Sequence, residues 1–261
     1  MNKMKNSDWF VIPAPNAQAK MRLFCFPYAG GNAATFQAWT QVLPTFVELV
    51  IVQPPGRASR LLEPAINNMH EMTTELLKFS KDITSLPYVL LGHSLGSRVA
   101  YQLAVELIEQ HYPSPIHFIA SGSRAPHTIK TSERICDLPD KLFLDKIAAM
   151  NGTPKEVMMN KELMELLLPM LKADFSISDN YQASKYPLPC DITALAGTDD
   201  EQVSEKQLVA WAELTSTEFK SMHFHGGHFF IDTCASQVTD AISSLLHLLV
   251  SEQSVTQQTT Y

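Results

Sequence analysis

The sequence predicts an α/β protein: a mostly parallel sheet with helices on both faces, interrupted by one all-helical insertion. Three observations predict it. Short apolar runs of strand length alternate with helical patterns almost from end to end, the signature of parallel strands joined by crossover helices. Gly92-His93-Ser94-Leu95-Gly96 stands between the apolar run Tyr88–Leu91 and a helical pattern, which is where a G-x-S-x-G turn lifts a serine above the carboxyl edge of a sheet. One stretch, Arg124 to Tyr186, carries no convincing strand and breaks the alternation.

Taken in order, Met21–Phe26 reads as the first strand and Ala33–Leu43 as the first helix, followed by a strand at Val47–Gln53 and a helix at Met69–Ser85. Pro87 bounds the next strand, Tyr88–Leu91. The helix Leu95–His111 then follows, because Val99, Leu103 and Leu107, with Ala100, Ala104 and Ile108, repeat at helical spacing until Pro113 ends the pattern. Ile116–Ala120 is a strand. Within 124–186, helical stretches surround Leu142–Met150, Glu156–Met159 and Glu162–Leu171, and such an insertion between two strands is placed to act as a lid above the carboxyl edge. Its run Leu163, Met164, Leu166, Leu167, Leu168, Met170 and Leu171 either packs the lid onto the body or lines a channel for an apolar chain; the pattern leaves both open. Strand Ile192–Ala196, helix Val203–Leu214, strand Glu218–His225 and helix Asp232–Val250 complete the alternation, and the polar tail Ser251–Tyr261 is expected to be disordered.

The whole chain, 1–261, thus reads as one domain with an insertion: no stretch resembles a linker and no internal repeat is evident. A formal charge of −7 without a basic run argues against nucleic acid as a partner. No apolar run approaches membrane-spanning length, and Met1–Ala14 lacks the apolar core and cleavage site of a targeting segment, so the reading is a cytoplasmic protein without a membrane partner. Cys25, Cys136, Cys190 and Cys234 show no C-x-x-C or metal-like spacing and read as buried thiols. Gly30-Gly31 lacks both G-x-G-x-x-G and P-loop spacing; no cofactor is implied.

A serine hydroxyl needs an adjacent base, and the base needs a group that fixes its tautomer. In this topology acid and then histidine follow the serine. Of the late histidines, His247 lies inside the last helix, and His223 and His225 share one face of a strand. His228, after Gly226-Gly227 on a loop at the carboxyl edge, is the one placed to meet Ser94. The acid should follow the preceding strand, where Asp199 and Asp200 are adjacent. Spacing alone does not separate them, since one could serve only to cap the next helix. Two backbone N–H donors for an oxyanion are expected from Leu95, after the serine, and from Ala29, in the loop Phe26-Pro27-Tyr28-Ala29-Gly30-Gly31 after the first strand.

Five segments together resemble the type II thioesterases, stand-alone α/β-hydrolase enzymes of nonribosomal peptide and polyketide synthesis: Arg22 to Gly31, Gln53-Pro54-Pro55-Gly56-Arg57, Gly92 to Gly96, Leu168 to Phe175, and Gly226-Gly227-His228-Phe229-Phe230. The resemblance implies an α/β-hydrolase fold with Ser94 as nucleophile, His228 as base, and Ala29 and Leu95 as oxyanion donors. It selects Asp200 as acid through the turn Gly197-Thr198-Asp199-Asp200. It further implies hydrolysis of acyl thioesters from the phosphopantetheine arm of an acyl- or peptidyl-carrier protein, with acyl-CoA as a further substrate, to clear aberrant or stalled groups. Leu95 stands where methionine is frequent and Lys172 where arginine is frequent, so a bidentate contact at 172 is not expected. The rival readings are a small-molecule carboxylesterase using the same residues and a non-catalytic binding protein retaining the fold.

Overall fold

The computed structural model describes residues 7–130, 133–150, 152 and 155–258, apart from the side chains of residue 155 and of those beyond 252. Seven strands form one sheet: β1 (Phe10–Val11), β2 (Met21–Phe26), β3 (Val47–Val52), β4 (Tyr88–His93), β5 (His117–Ser121), β6 (Asp191–Gly197) and β7 (Phe219–Phe224), in the order β1-β3-β2-β4-β5-β6-β7. Only β1 runs antiparallel, Phe10 lying opposite Val52; the six strands read from the sequence are all parallel. The two-residue β1 is too short to leave a periodic signal.

Strands β2 to β5 are buried along their whole length, which is why they read as continuous apolar runs rather than alternating ones. Alternation nonetheless sorts their side chains. Phe24, Phe26, Val50, Val52 and Leu90 face one core, while Leu23, Cys25, Leu49, Ile51 and Leu91 face the other. The first core is closed by α2 (Met69–Leu77) and α4 (Leu95–Glu109), and the second by α1 (Ala34–Gln37) with its 3-10 extension to Gln41 and by α10 (Ala235–Gln258).

Asn68 caps α2 by accepting the Glu71 N–H. The helix expected over Met69–Ser85 divides into α2 and α3 (Ser80–Ile83), since Phe79 leaves the helical conformation and sets its ring edge-on to Phe10 of β1 at 5.3 Å. Between β5 and β6 lie α5 (Asp140–Ala149), α6 (Lys155–Met159) and α7 (Lys161–Asn180). Expected to end near Leu171, α7 continues through Pro169 for nine residues more. The chain closes with α8 (Glu205–Val209), capped reciprocally by Ser204 and Gln207, a 3-10 turn over Ala210–Leu214, α9 (Phe230–Thr233) and α10. The backbone of α10 reaches Gln258, entering the stretch expected to be disordered; residues 259–261 lie outside the described ones. No helix among the described residues is long and apolar enough to cross a membrane. Three of the four free cysteines are buried, and Cys234 is half-buried rather than buried.

The turn between β4 and α4 leaves no room for side chains at its two glycines. Ser94 takes φ 53°, ψ −114°, a region costly for a side-chain-bearing residue. A Cβ on Gly92 would stand 2.2 Å from Gly96 C, and one on Gly96 would stand 2.1 Å from Phe26 O. Strand, helix and β2 therefore meet only because both positions lack side chains. Gly96→Ala should lower the midpoint of thermal unfolding sharply, whereas Gly227→Ala, whose Cβ would meet nothing closer than 3.7 Å, should shift it little; comparable midpoints for the two variants would contradict this account of the turn.

Candidate active site

Ser94 opens onto a cavity of about 620 Å³ whose walls include Tyr28, Ala29, His228, Arg98 and Arg124. The insertion supplies another part of the wall: Met150 at the end of α5, and Phe175 and Ser178 of α7. The serine turn is pinned to β5. Ser94 N–H donates to Ser121 O (2.8 Å), and Ser97 Oγ donates to Gly92 O (2.6 Å).

The late histidines separate cleanly. His228 Nδ1 lies 2.9 Å from Asp200 Oδ2, with both side chains withdrawn from solvent, at 8% and 1% exposure. Asp200 Oδ1 accepts the Gln202 N–H, which fixes the carboxylate plane. Asp199 turns its carboxylate to solvent, 3.9 Å from His225 Nδ1. His223 meets Glu205, and the ring of His247 packs edge-on against Phe46. Nδ1 of His228 is thus engaged, and the opposite ring nitrogen is left for the cavity side.

A second imidazole lies beside this pair. His93, fully buried, packs its ring 5.3 Å from that of His228 and between Tyr28 and Phe230. Its Nδ1 is 2.9 Å from Ser121 Oγ and its Nε2 has no partner among the described residues. Burial, and then the neighbouring His228, hold its pKa well below that of an ordinary histidine. His93 is therefore neutral near pH 7 and adds no charge to oppose protonation of His228. Gly122, at φ +53°, is what lets the chain pass this ring, since a Cβ there would stand 2.7 Å from His93 Cε1. Tyr28 donates to Asp232 Oδ2 (3.2 Å), and burial together with that carboxylate pushes its pKa up to about 12, so the phenol stays protonated.

Leu95 is the first residue of α4, where a backbone N–H has no acceptor within its own helix. Ala29 sits in the loop after β2, and this loop is held by an ion pair that spacing alone did not reveal. Arg57 binds Asp174 through two parallel bonds, Nη1 to Oδ2 (2.6 Å) and Nη2 to Oδ1 (2.7 Å), with both side chains buried. Arg57 also donates to Pro55 O and Gly31 O, while Asp174 Oδ2 accepts the Gly30 N–H at 2.7 Å. Gly30, at φ +80°, has Leu171 Cδ2 2.8 Å from the place of a Cβ. The Pro-Gly-Arg turn, α7 and the loop carrying Ala29 therefore converge on one carboxylate. Asp174 lies on the part of α7 that the sequence pattern cut short; its place in the segment Leu168–Phe175 was the available signal.

Two further expectations meet the structure here. Lys172, where a bidentate contact was not expected, donates to Asp140 Oδ1 (2.5 Å) and Leu138 O (3.1 Å), and so ties α7 to the start of α5. Of the apolar run in α7, Met164, Met170 and Leu171 are buried with Ile135, Phe143 and Ile147 in a separate core, and none of the seven residues from Leu163 to Leu171 lines the cavity. Packing, rather than a channel, accounts for Met164, Leu167, Leu168, Met170 and Leu171, while Leu166 is exposed.

A family model described as Thioesterase domain matches residues 21–248. The chain is 34% identical over 246 residues to the gramicidin S biosynthesis protein GrsT of Aneurinibacillus migulanus, a match covering 94% of this chain and 96% of that one. Among solved structures, that of ClbQ from the colibactin NRPS/PKS pathway superposes with a TM-score of 0.83 at 31% identity, covering 88% of this chain and 98% of that one. The type II thioesterase BorB from the borrelidin biosynthetic cluster does so with a TM-score of 0.83 at 27% identity, covering 92% and 98%.

The ion pair leads to a stability test. Asp174→Ala strands a buried guanidinium and should lower the unfolding free energy by about 3–5 kcal/mol, whereas Arg57→Met combined with Asp174→Leu should recover much of that loss. Urea denaturation of the three proteins measures it; a single-variant loss no larger than that of an exposed ion pair would mean that the clamp contributes little.

Proposed function

Since the chain belongs to the thioesterase family and is a thioester hydrolase of the α/β-hydrolase fold, we propose that it removes acyl groups from the phosphopantetheine arm of a carrier protein in the cytoplasm, through Ser94, His228 and Asp200. The observation that carries this reading is the Asp200–His228 pair beside a cavity that also exposes Ser94. Asp200 holds Nδ1–H of His228, leaving Nε2 unprotonated toward the serine. As Ser94 Oγ attacks the thioester carbonyl carbon, Nε2 takes its proton, and the oxyanion is received by the N–H groups of Ala29 and Leu95. Collapse of the intermediate breaks the C–S bond, and His228 returns the proton to the departing thiolate. Water then attacks the acyl-serine with His228 again as base, which releases the carboxylic acid and restores Ser94.

Carrier proteins as partners are supported by the relatives: the names of GrsT and ClbQ attach those proteins to antibiotic and NRPS/PKS biosynthesis. The insertion serves as a lid, because Met150, Phe175 and Ser178 wall the cavity from above the sheet edge, so substrate enters on a long thin arm or when the lid opens. The role we assign is the clearing of aberrant or stalled acyl groups, which the resemblance to the type II thioesterases implies. Acyl-CoA, which carries the same arm, is the lesser substrate.

Two measurements test the reading. Asp200→Asn should keep the fold by circular dichroism yet reduce kcat roughly 10⁴-fold, because the wrong imidazole tautomer is then favoured, and Asp199→Asn should change it far less; the opposite ranking would displace the acid by one residue. For the partner, kcat/KM should be higher for an acyl group on its carrier than for the same group on coenzyme A. Salt should reduce that preference only modestly, since charges on exposed surfaces are screened beyond about 8 Å at physiological ionic strength. Equal efficiency toward both donors at every salt concentration would remove the carrier from the proposal.

A further inference from the structure

Five arginines are buried, and they divide into two groups. Arg22 pairs with Glu48, Arg57 with Asp174 and Arg60 with Glu63. Arg98 and Arg124, 8% and 7% exposed, have no carboxylate partner among the described residues, and these two line the cavity that contains Ser94. Their hydrogen bonds go to carbonyl oxygens: Arg98 Nη1 to Ser178 O (2.9 Å), and Arg124 Nη1 to Thr128 O (2.6 Å) and Nη2 to Tyr181 O (3.4 Å). Part of this satisfies the C-terminal turn of α7. It does not account for Arg98 Nε, which is buried with no partner among the described residues.

Three acids share the cavity wall, and Glu201 among them is exposed to solvent while the other two are engaged. Asp179 binds Lys130 and accepts the N–H groups of Ile135 and Cys136, and Glu133 binds Lys146. Two guanidinium groups withdrawn from water without an ion-pair partner are costly: burial first and then Arg124 hold the pKa of Arg98 down to about 9, against the smaller opposing pull of Asp179 and Tyr181. An anion entering the cavity would relieve both.

We propose that Arg98 and Arg124 form a subsite for a carboxylate at the far end of the acyl group, so that this enzyme favours acyl thioesters ending in a carboxylate over neutral ones of equal length. The proposal rests on Ser94 being the nucleophile. Ser94 caps α4 from outside the helix and Arg98 lies in its first turn, four residues on, about 6 Å along the axis, and both line the same cavity. A four-carbon dicarboxylic chain spans roughly 4 Å between its carboxyl carbons, and a guanidinium–carboxylate hydrogen bond of about 2.8 Å closes the remaining gap. The phosphate of a phosphopantetheine arm lies many bonds beyond the thioester sulfur, on the opposite side of the reacting carbon from the acyl chain. The planar fork of each guanidinium suits a carboxylate.

The test compares the succinyl and butyryl thioesters of N-acetylcysteamine, which have equal chain length and no phosphate. Binding is measured by calorimetry on the full chain carrying Ser94→Ala, and hydrolysis on the unaltered chain. Succinyl should bind at least about tenfold more tightly, and Arg98→Gln or Arg124→Gln added to Ser94→Ala should bring the ratio toward one, with Arg98→Lys retaining part of it. The two glutamine variants act at different places, and circular dichroism identifies either that does not fold. Equal binding of the two thioesters by Ser94→Ala, or a ratio unchanged in both glutamine variants, would overturn the subsite. A parallel pair of coenzyme A thioesters that bind more tightly than the short ones irrespective of acyl charge would assign the guanidiniums to the phosphate instead, and equally overturn it. Hydrolysis reports on the other reading: if the unaltered chain cleaves neither thioester while Ser94→Ala still prefers succinyl, the subsite stands and the nucleophile assignment fails.

Discussion

The carboxylate of Asp174 is the point on which the cavity's architecture turns. Its two oxygens receive three N–H groups from two other parts of the chain: two from Arg57 and one from Gly30. A buried bidentate pair of this kind gives little net stability once desolvation is counted, but it gives position. The Gly30 amide cannot rotate without abandoning the charge, so the neighbouring peptide carrying Ala29 is fixed relative to α7. The same carboxylate also holds the Pro-Gly-Arg turn, whose Gly56 has positive φ and whose Arg57 reaches Gly31 O. Sheet edge, turn and insertion are thus referenced to one group rather than to one another through flexible loops.

The parallel strands were legible because burial on both faces writes itself as continuous apolar runs, and the central turn because its two glycines are required by contacts of about 2 Å that nothing else could make. Ser94 and His228 were nominated by topology, and the structure brings both to the wall of one cavity. Asp200 was not separable from Asp199 by spacing, since adjacent residues on a loop share their sequence context; what distinguishes them is direction, Asp200 turning inward to His228 and Asp199 outward toward His225. The less legible features depended on tertiary contacts. Phe79 breaks a helix to meet Phe10, and α7 persists past Leu171 because its later residues are held by Arg57, Arg98 and Arg124. A helix that survives by side-chain anchoring carries no such mark in its own periodicity.

The cavity differs in character from what an apolar insertion suggests. Both methionines and three of the leucines of α7 are spent on an internal core with α5, and what faces Ser94 includes arginines, Ser178 and the half-buried Tyr28. His93 stays neutral under the same burial that leaves Arg98 charged at neutral pH, because a histidine sheds its proton far more cheaply than a guanidinium. Cationic character in the cavity therefore sits on the two guanidiniums, with Lys130 and Lys146, and not on His93.

Pro169 gives the insertion an unequal inheritance. Lacking an N–H, it releases the carbonyl four residues earlier and loosens α7 at that level. Beyond it, Leu171, Asp174 and Ser178 are bound to the loop, the turn and α4; before it, α7 is joined to α5 and α6 mainly by apolar contact. For protein engineering, this sets what must move together: residues 171–181 travel with the sheet, and because Met170, Leu171, Lys172 and Phe175 also hold α5, an exchanged α5 must be matched to that later half of α7.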